Sequence, residues 1–185
     1  MKILFETFFK LIIGFIIASI GVVMTINSNL GLSPWDVLHQ GLSKITPLSI
    51  GGACIVVGLT VVLFSMFLGV NLGIGTILNT ILMGVFIDWI SYLNIIPLCS
   101  NFFTGIIMMI LGMFLLGIGT YLYMSCGLGC GPRDGLMVAL TKITKKPVKM
   151  IRAVIELSAM TAGYFLGGFV GIGTIITALG VGYCI

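Results

Sequence analysis

The chain has 185 residues, of which 59% are hydrophobic and 8% charged, and its mean hydropathy is +1.27. So little polar surface excludes a water-soluble globule and places the chain in lipid, and its length suits spans of about 20 residues in roughly six helices, with no separate soluble domain. The formal net charge of +4 comes from Lys and Arg beside apolar runs, which suits membrane topology and anionic headgroups rather than nucleic acid.

Residues 1–27 open with Lys2 and Lys10 and run into an apolar stretch from Leu11 to Ile26. The stretch looks like a secretory leader, but it lacks an A-x-A-type cleavage site and has a counterpart later in the chain, so it reads as a retained first helix over 8–27. A Gly/Pro loop leads to a short segment over 34–45, then a second helix over 50–69 and a third over 74–93. After the connection 94–103 the order recurs as 104–125, 132–143, 149–168 and 172–185. The expected fold is all-α, with about six transmembrane helices in two three-helix units, 1–93 and 99–185.

The short segments, of about 12 residues, cannot cross a hydrocarbon core of about 30 Å. Each has the start of a helix written into it. Ser33 or Gly131 stands at the cap, Pro34 or Pro132 at the first helical position, and Asp36 or Asp134 near the third, where a carboxylate meets exposed N–H groups. They read as half-helices, either dipping into the bilayer or lying along its surface.

Sliding the sequence by 98 positions pairs Met1–Ile87 with Cys99–Ile185 without a gap, and 26 of the 87 pairs are identical. The matches fall on turn and packing residues: Gly14 and Gly21 on Gly112 and Gly119, Pro34 and Asp36 on Pro132 and Asp134, and Gly73-Ile74-Gly75-Thr76 on Gly171-Ile172-Gly173-Thr174. Convergence on a lipid-compatible composition would spread them over Leu, Ile and Val instead. If the half-helices do not cross, each unit has three spans, an odd number, and the second copy must be inverted. Charge agrees: Lys2 and Lys10 hold the N-terminus in the cytoplasm, and the same side then receives Arg133, Lys142, Lys145, Lys146 and Lys149, the densest basic run. The last helix stops at Ile185 after about 14 residues, short of a span, and the natural chain is expected to continue.

Ionisable groups in apolar sequence are costly and therefore functional candidates. Asp36 and Asp134 lead, because equivalent half-helices of inverted units meet around a shared axis where transporters build sites; the competing role is helix capping. Arg133 replaces Trp35 at the equivalent position and, beside the half-helix backbone of Gly31, Ser33, Gly129 and Gly131, would attract an anion or carboxylate. Its alternatives are a salt bridge to Asp134 or to lipid phosphate; Trp35 would face an organic ligand or anchor at the interface. Arg152 and Glu156 share one helix face and can pair, His39 shares a face with Asp36, and Asp88 beside Trp89 reads as interfacial. Five scattered cysteines and one histidine give neither a disulfide framework nor a metal site. No Rossmann spacing, P-loop or hydrolase triad is present, so neither a cofactor nor an enzymatic activity is expected.

The run Asn29-Leu30-Gly31-Leu32-Ser33-Pro34-Trp35-Asp36-Val37-Leu38-His39-Gln40-Gly41-Leu42-Ser43, the G-x-G-T turn, Ile87-Asp88 and Gly131-Pro132-Arg133-Asp134-Gly135-Leu136-Met137 resemble the YczE-like membrane proteins, a bacterial group related to the YitT type. The resemblance covers essentially the whole chain and implies a multi-pass protein of the bacterial plasma membrane, without supplying a function. The leading expectation is a small permease for an anionic or zwitterionic solute. The alternatives are a non-transporting accessory protein that supports another enzyme or export system through Lys142–Lys149, and the membrane substrate-binding subunit of a larger importer. A homodimer or a partner membrane protein fits any of the three.

Overall fold

A computed structural model describes residues 2–70 and 73–184; Met1 and Ile185, the outer bounds of the two expected units, lie outside them, as does the question of how the last helix ends. Among the described residues there are eight helices and no strand: α1 (Lys2–Asn27), α2 (Pro34–Ile45), α3 (Ile50–Phe67), α4 (Ile74–Tyr92), α5 (Phe102–Met124), α6 (Pro132–Thr144), α7 (Val148–Phe165) and α8 (Ile172–Cys184). By length and composition four of them can cross a membrane, over Glu6–Asn27, Ile50–Phe67, Ile74–Tyr92 and Phe102–Met124. Helix α7 has 18 residues but carries Lys149, Arg152 and Glu156, and α8 is described over 13.

Helices α1 and α5 form the central pair. Their contact is made by small residues, since neighbouring helices in lipid gain from close backbone approach rather than from excluding water. A Cβ added at Gly21 would lie 2.5 Å from the carbonyl oxygen of Gly112, and one at Gly14 would lie 2.9 Å from the backbone nitrogen of Tyr123 and 3.0 Å from the carbonyl oxygen of Gly119. The pairing of Gly14 with Gly119 and of Gly21 with Gly112 makes the two helices antiparallel. Around this pair α4 packs on α1 and α8 on α5, while the short helices cross over: α2 lies against α7 and α3, and α6 against α3 and α7.

The loops before α2 and α6 are held by the two G-x-G-T turns, each loop on the turn distant from it in sequence. The Leu30 carbonyl accepts from the N–H of Gly173 (2.8 Å), and the Leu128 carbonyl accepts from the N–H of Gly75 (2.9 Å). Thr76 Oγ1 also donates to the carbonyl of Cys130 (2.6 Å). Gly31 and Gly129 sit in this contact with φ of 122° and 133°, and a Cβ on either would come within 2.7 Å of Gly171 N or Thr76 Oγ1. Both the backbone conformation and the space therefore require glycine.

Asp88 is a capping group rather than a free interfacial charge. From the last turns of α4 it reaches the start of α3, where Oδ1 accepts from the N–H of Gly51 (2.9 Å) and Oδ2 accepts from the Ser49 hydroxyl. It satisfies a backbone donor that a helix N-terminus leaves without an intrahelical partner. We expect Asp88→Ala to lower stability by about 1 kcal/mol, measured as a fall in Tm of the purified protein, with Asp88→Asn retaining part of the loss.

Candidate functional site

Helix α2 begins with Ser33 at its cap, whose Oγ accepts from the N–H of Asp36 at 3.4 Å and donates to the same residue's carboxylate. Asp36 is 5% exposed and His39 2%. One turn apart, they bring Nδ1 of the imidazole to 3.4 Å from Oδ1 of the carboxylate. That separation is long for a hydrogen bond, and His39 Nδ1 has no hydrogen-bond partner. Helix α6 begins in the same way but with Gly131 at the cap, so Asp134 receives no side-chain hydroxyl.

The two helix starts face each other. The guanidinium of Arg133 lies over the indole of Trp35, 5.0 Å from the ring centroid, within the range of a cation–π contact. These two residues occupy equivalent positions in the two Pro-x-Asp motifs, and they meet directly. Trp35 also packs in a cluster with Leu136, Ile151, Ile155 and Ala159, which ties the start of α2 to α6 and α7.

Between the helix starts lies a cavity of about 190 Å³, below the range of roughly 300–1,000 Å³ typical of drug-sized ligand sites. All seven side chains singled out in the sequence line it: Trp35, Asp36, His39, Arg133, Asp134, Arg152 and Glu156. Ser33 and Gly131 line it too, whereas Gly31 and Gly129 do not and serve instead as the loop seats described above. Arg152 Nε donates to Glu156 Oε1 at 2.8 Å, a pair only partly shielded, with side chains 32% and 21% exposed. The salt bridge between Arg133 and Asp134, one of the alternatives to a ligand role for Arg133, is not formed; among the described residues the ion pairs are His39 with Asp36 and Arg152 with Glu156.

Several uncharged polar residues complete the wall: Asn79 and Thr80 from α4, and Thr120 and Tyr123 from α5. Sequence reasoning missed them because an amide or hydroxyl in an apolar helix carries no strong cost signal. The available clue was spacing: Thr120 and Tyr123 lie three apart on one face, and Asn79 follows the G-x-G-T threonine by three. Cys54 and Gly58, the sequence counterparts of Arg152 and Glu156, line it as well.

The arrangement is a mixed-charge, partly open chamber walled largely by apolar groups. A model of a family of unknown function, DUF6198, matches residues 5–185. The chain belongs to this family. It is 41% identical over 168 residues to an uncharacterised membrane protein, YczE, of Bacillus subtilis (strain 168), covering 90% of this chain and 77% of the relative. It is 35% identical over 178 residues to an uncharacterised protein of Haemophilus influenzae, covering 96% and 81%, and 28% identical over 170 residues to the B. subtilis protein YyaS, covering 89% and 83%. No solved structure matches. The family and its apolar helices make this a multi-pass membrane protein of YczE type.

Proposed function

We propose that this chain is a small-solute permease of the bacterial plasma membrane, moving its solute rather than transforming it, with the chamber between α2 and α6 as the solute site. The observation that carries the reading is the convergence of two half-helix starts, three carboxylates and two guanidinium groups on one partly open cavity. Charges in an apolar fold are retained where they face a pathway or a ligand, and discontinuous helices meeting in the interior are how transporters build such sites. The solute is small and anionic or zwitterionic, because Arg133 presents a guanidinium fork that matches a carboxylate.

In this reading α1, α3, α4, α5, α7 and α8 cross the membrane, α2 and α6 enter it without crossing, and the second three-helix unit is inverted relative to the first. What supports the inversion is the antiparallel contact of α1 with α5 through equivalent glycines, together with the reciprocal seating of each loop on the other unit's turn. Alternating access then follows from rocking of one unit against the other around the Trp35–Arg133 contact. Orientation is testable by itself: the positive-inside rule puts the N-terminus and Lys142–Lys149 in the cytoplasm. An alkaline phosphatase fusion after residue 97 is expected to be active and one after residue 146 inactive; the reverse pattern overturns the orientation.

The functional test is flux. Purified protein in proteoliposomes, offered labelled small carboxylates and amino acids one at a time, is expected to exchange at least one of them above protein-free vesicles. Absence of flux with the whole set, in protein that remains folded, removes the permease reading and returns the chain to an accessory role.

A further inference from the structure

Which solute the chamber takes can be read from the groups that already have partners. At the start of α2 the anion seat is filled by the chain itself, since Asp36 stands at the helix end with Ser33 bound to it. Asp134 stands at the same place on α6. A helix N-terminus attracts an anion through its free N–H groups and dipole, and here a built-in carboxylate competes for each. Glu156 and Arg152 neutralise each other. Two charged groups on the wall, both among the described residues, form no ion pair within 4.0 Å.

The first is Arg133. Its guanidinium lies over the face of Trp35, and no carboxylate oxygen lies within 4.0 Å of it, although the charges of Asp36 and Asp134 act on it through space. A guanidinium laid flat on a ring keeps its in-plane donors for a bidentate carboxylate. The second is Asp134. Its carboxyl group has a backbone hydrogen bond at Gly131 and feels the charges of Arg133 and Arg152 through space, but it has no ion pair within 4.0 Å and no side-chain partner, in contrast to Asp36 with its serine and histidine. His39 Nδ1, in a side chain almost fully buried on the same wall, lies 3.4 Å from Asp36 Oδ1 without a formed hydrogen bond. Buried polar groups left open in this way are filled by a ligand or by water.

A simple anion would satisfy Arg133 but add negative charge beside Asp36 and Asp134. A simple cation would satisfy Asp134 but leave the guanidinium donors open and add like charge beside it. A molecule carrying both a carboxylate and an ammonium satisfies both without changing the net charge of the chamber. The rest of the wall, including Val57, Val61, Met83 and Met137, is apolar and suits a hydrocarbon side group. We propose that the chamber binds a small neutral zwitterion of the amino-acid type, its carboxylate on Arg133, its ammonium on Asp134 and its side group against the apolar wall. This rests on the reading of the chamber as a solute site and names its substrate class.

The test is ligand-induced thermal stabilisation of the purified full chain. Valine, leucine and phenylalanine are each compared with the acid that lacks the amino group and with the amine that lacks the carboxylate. At least one amino acid is expected to raise Tm in a dose-dependent way, with neither matching analogue doing so at the same concentration. Arg133→Gln and Asp134→Asn are each expected to weaken that binding by about 30-fold. Should Arg133→Gln fail to fold, Arg133→Lys keeps the charge, loses the fork and is expected to weaken binding less. Equal stabilisation by the acid makes this an anion site and overturns the proposal, equal stabilisation by the amine makes it a cation site and overturns it, and stabilisation by none of the nine compounds overturns it as well. The two readings separate cleanly: an amino acid that binds without flux removes the permease and leaves the zwitterion site, whereas flux of an acid lacking the amino group keeps the permease and removes the zwitterion.

Discussion

Arg133→Gln is expected to reduce solute flux in proteoliposomes by about 30-fold or more, because truncating one partner of a desolvated charge contact costs at least about 2 kcal/mol. Protein folding should survive the change. The Arg133 side chain makes no ion pair that holds the fold together, and although glutamine is two atoms shorter, Trp35 keeps its packing on Leu136, Ile151, Ile155 and Ala159. The effect should therefore appear in flux while the unliganded Tm and the elution profile stay close to those of the parent. A variant that folds and transports normally would remove Arg133 from the site. Glu156→Gln is the informative contrast: Glu156 already has Arg152 as a partner at 2.8 Å, so its loss should disturb flux less than the loss of the unpaired guanidinium.

The largest effect on stability is expected at the α1–α5 seam. Gly21→Leu places a Cβ 2.5 Å from the Gly112 carbonyl oxygen and 2.6 Å from the backbone nitrogen of Leu116. Both are backbone atoms, so no rotamer change relieves the overlap and the two helices must separate. Overpacking of a tight interior commonly costs 1–3 kcal/mol, and a rigid backbone contact puts this case at about 3 kcal/mol or more. The separation would spread to the chamber, which takes Ala18 and Val22 from α1 and Leu116 and Thr120 from α5. The measurement is the yield of monodisperse protein and its Tm, with Leu63→Ala as control because Leu63 is 57% exposed on the outer face of α3. Equal yields for the two variants would mean that the seam does not hold the fold.

Much of the architecture was legible before any tertiary contact was known. Membrane residence follows from composition, since 8% charged residues cannot clothe a soluble protein. The short helices were legible because a cap, a proline at the first turn and an aspartate at the third position act within four residues of each other. The expected 34–45 and 132–143 stand as Pro34–Ile45 and Pro132–Thr144. Likewise Arg152 and Glu156 pair because the helix repeat alone puts residues four apart on one face.

What the tertiary structure decided depends on how helices cross, and local rules do not reach that far. Arg133 does not bridge to Asp134, the local alternative its neighbour offered, but meets Trp35, ninety-eight positions away, because adjacent residues on a helix point in different directions while the two helix starts are driven together by the packing of α2 on α7 and α6 on α3. Asp88 gained a role as the cap of another helix for the same reason, and Gly31 and Gly129 turned from site backbone into loop seats. Asn79 and Tyr123 entered the wall unannounced, since an uncharged polar group leaves no cost in the sequence to betray it. By itself the sequence determined that this protein lives in lipid, where its two short helices begin and which residues carry charge. Only the tertiary structure decided that those charges share one chamber and which of them are left without a partner, because that is set by close contacts between segments far apart in the chain.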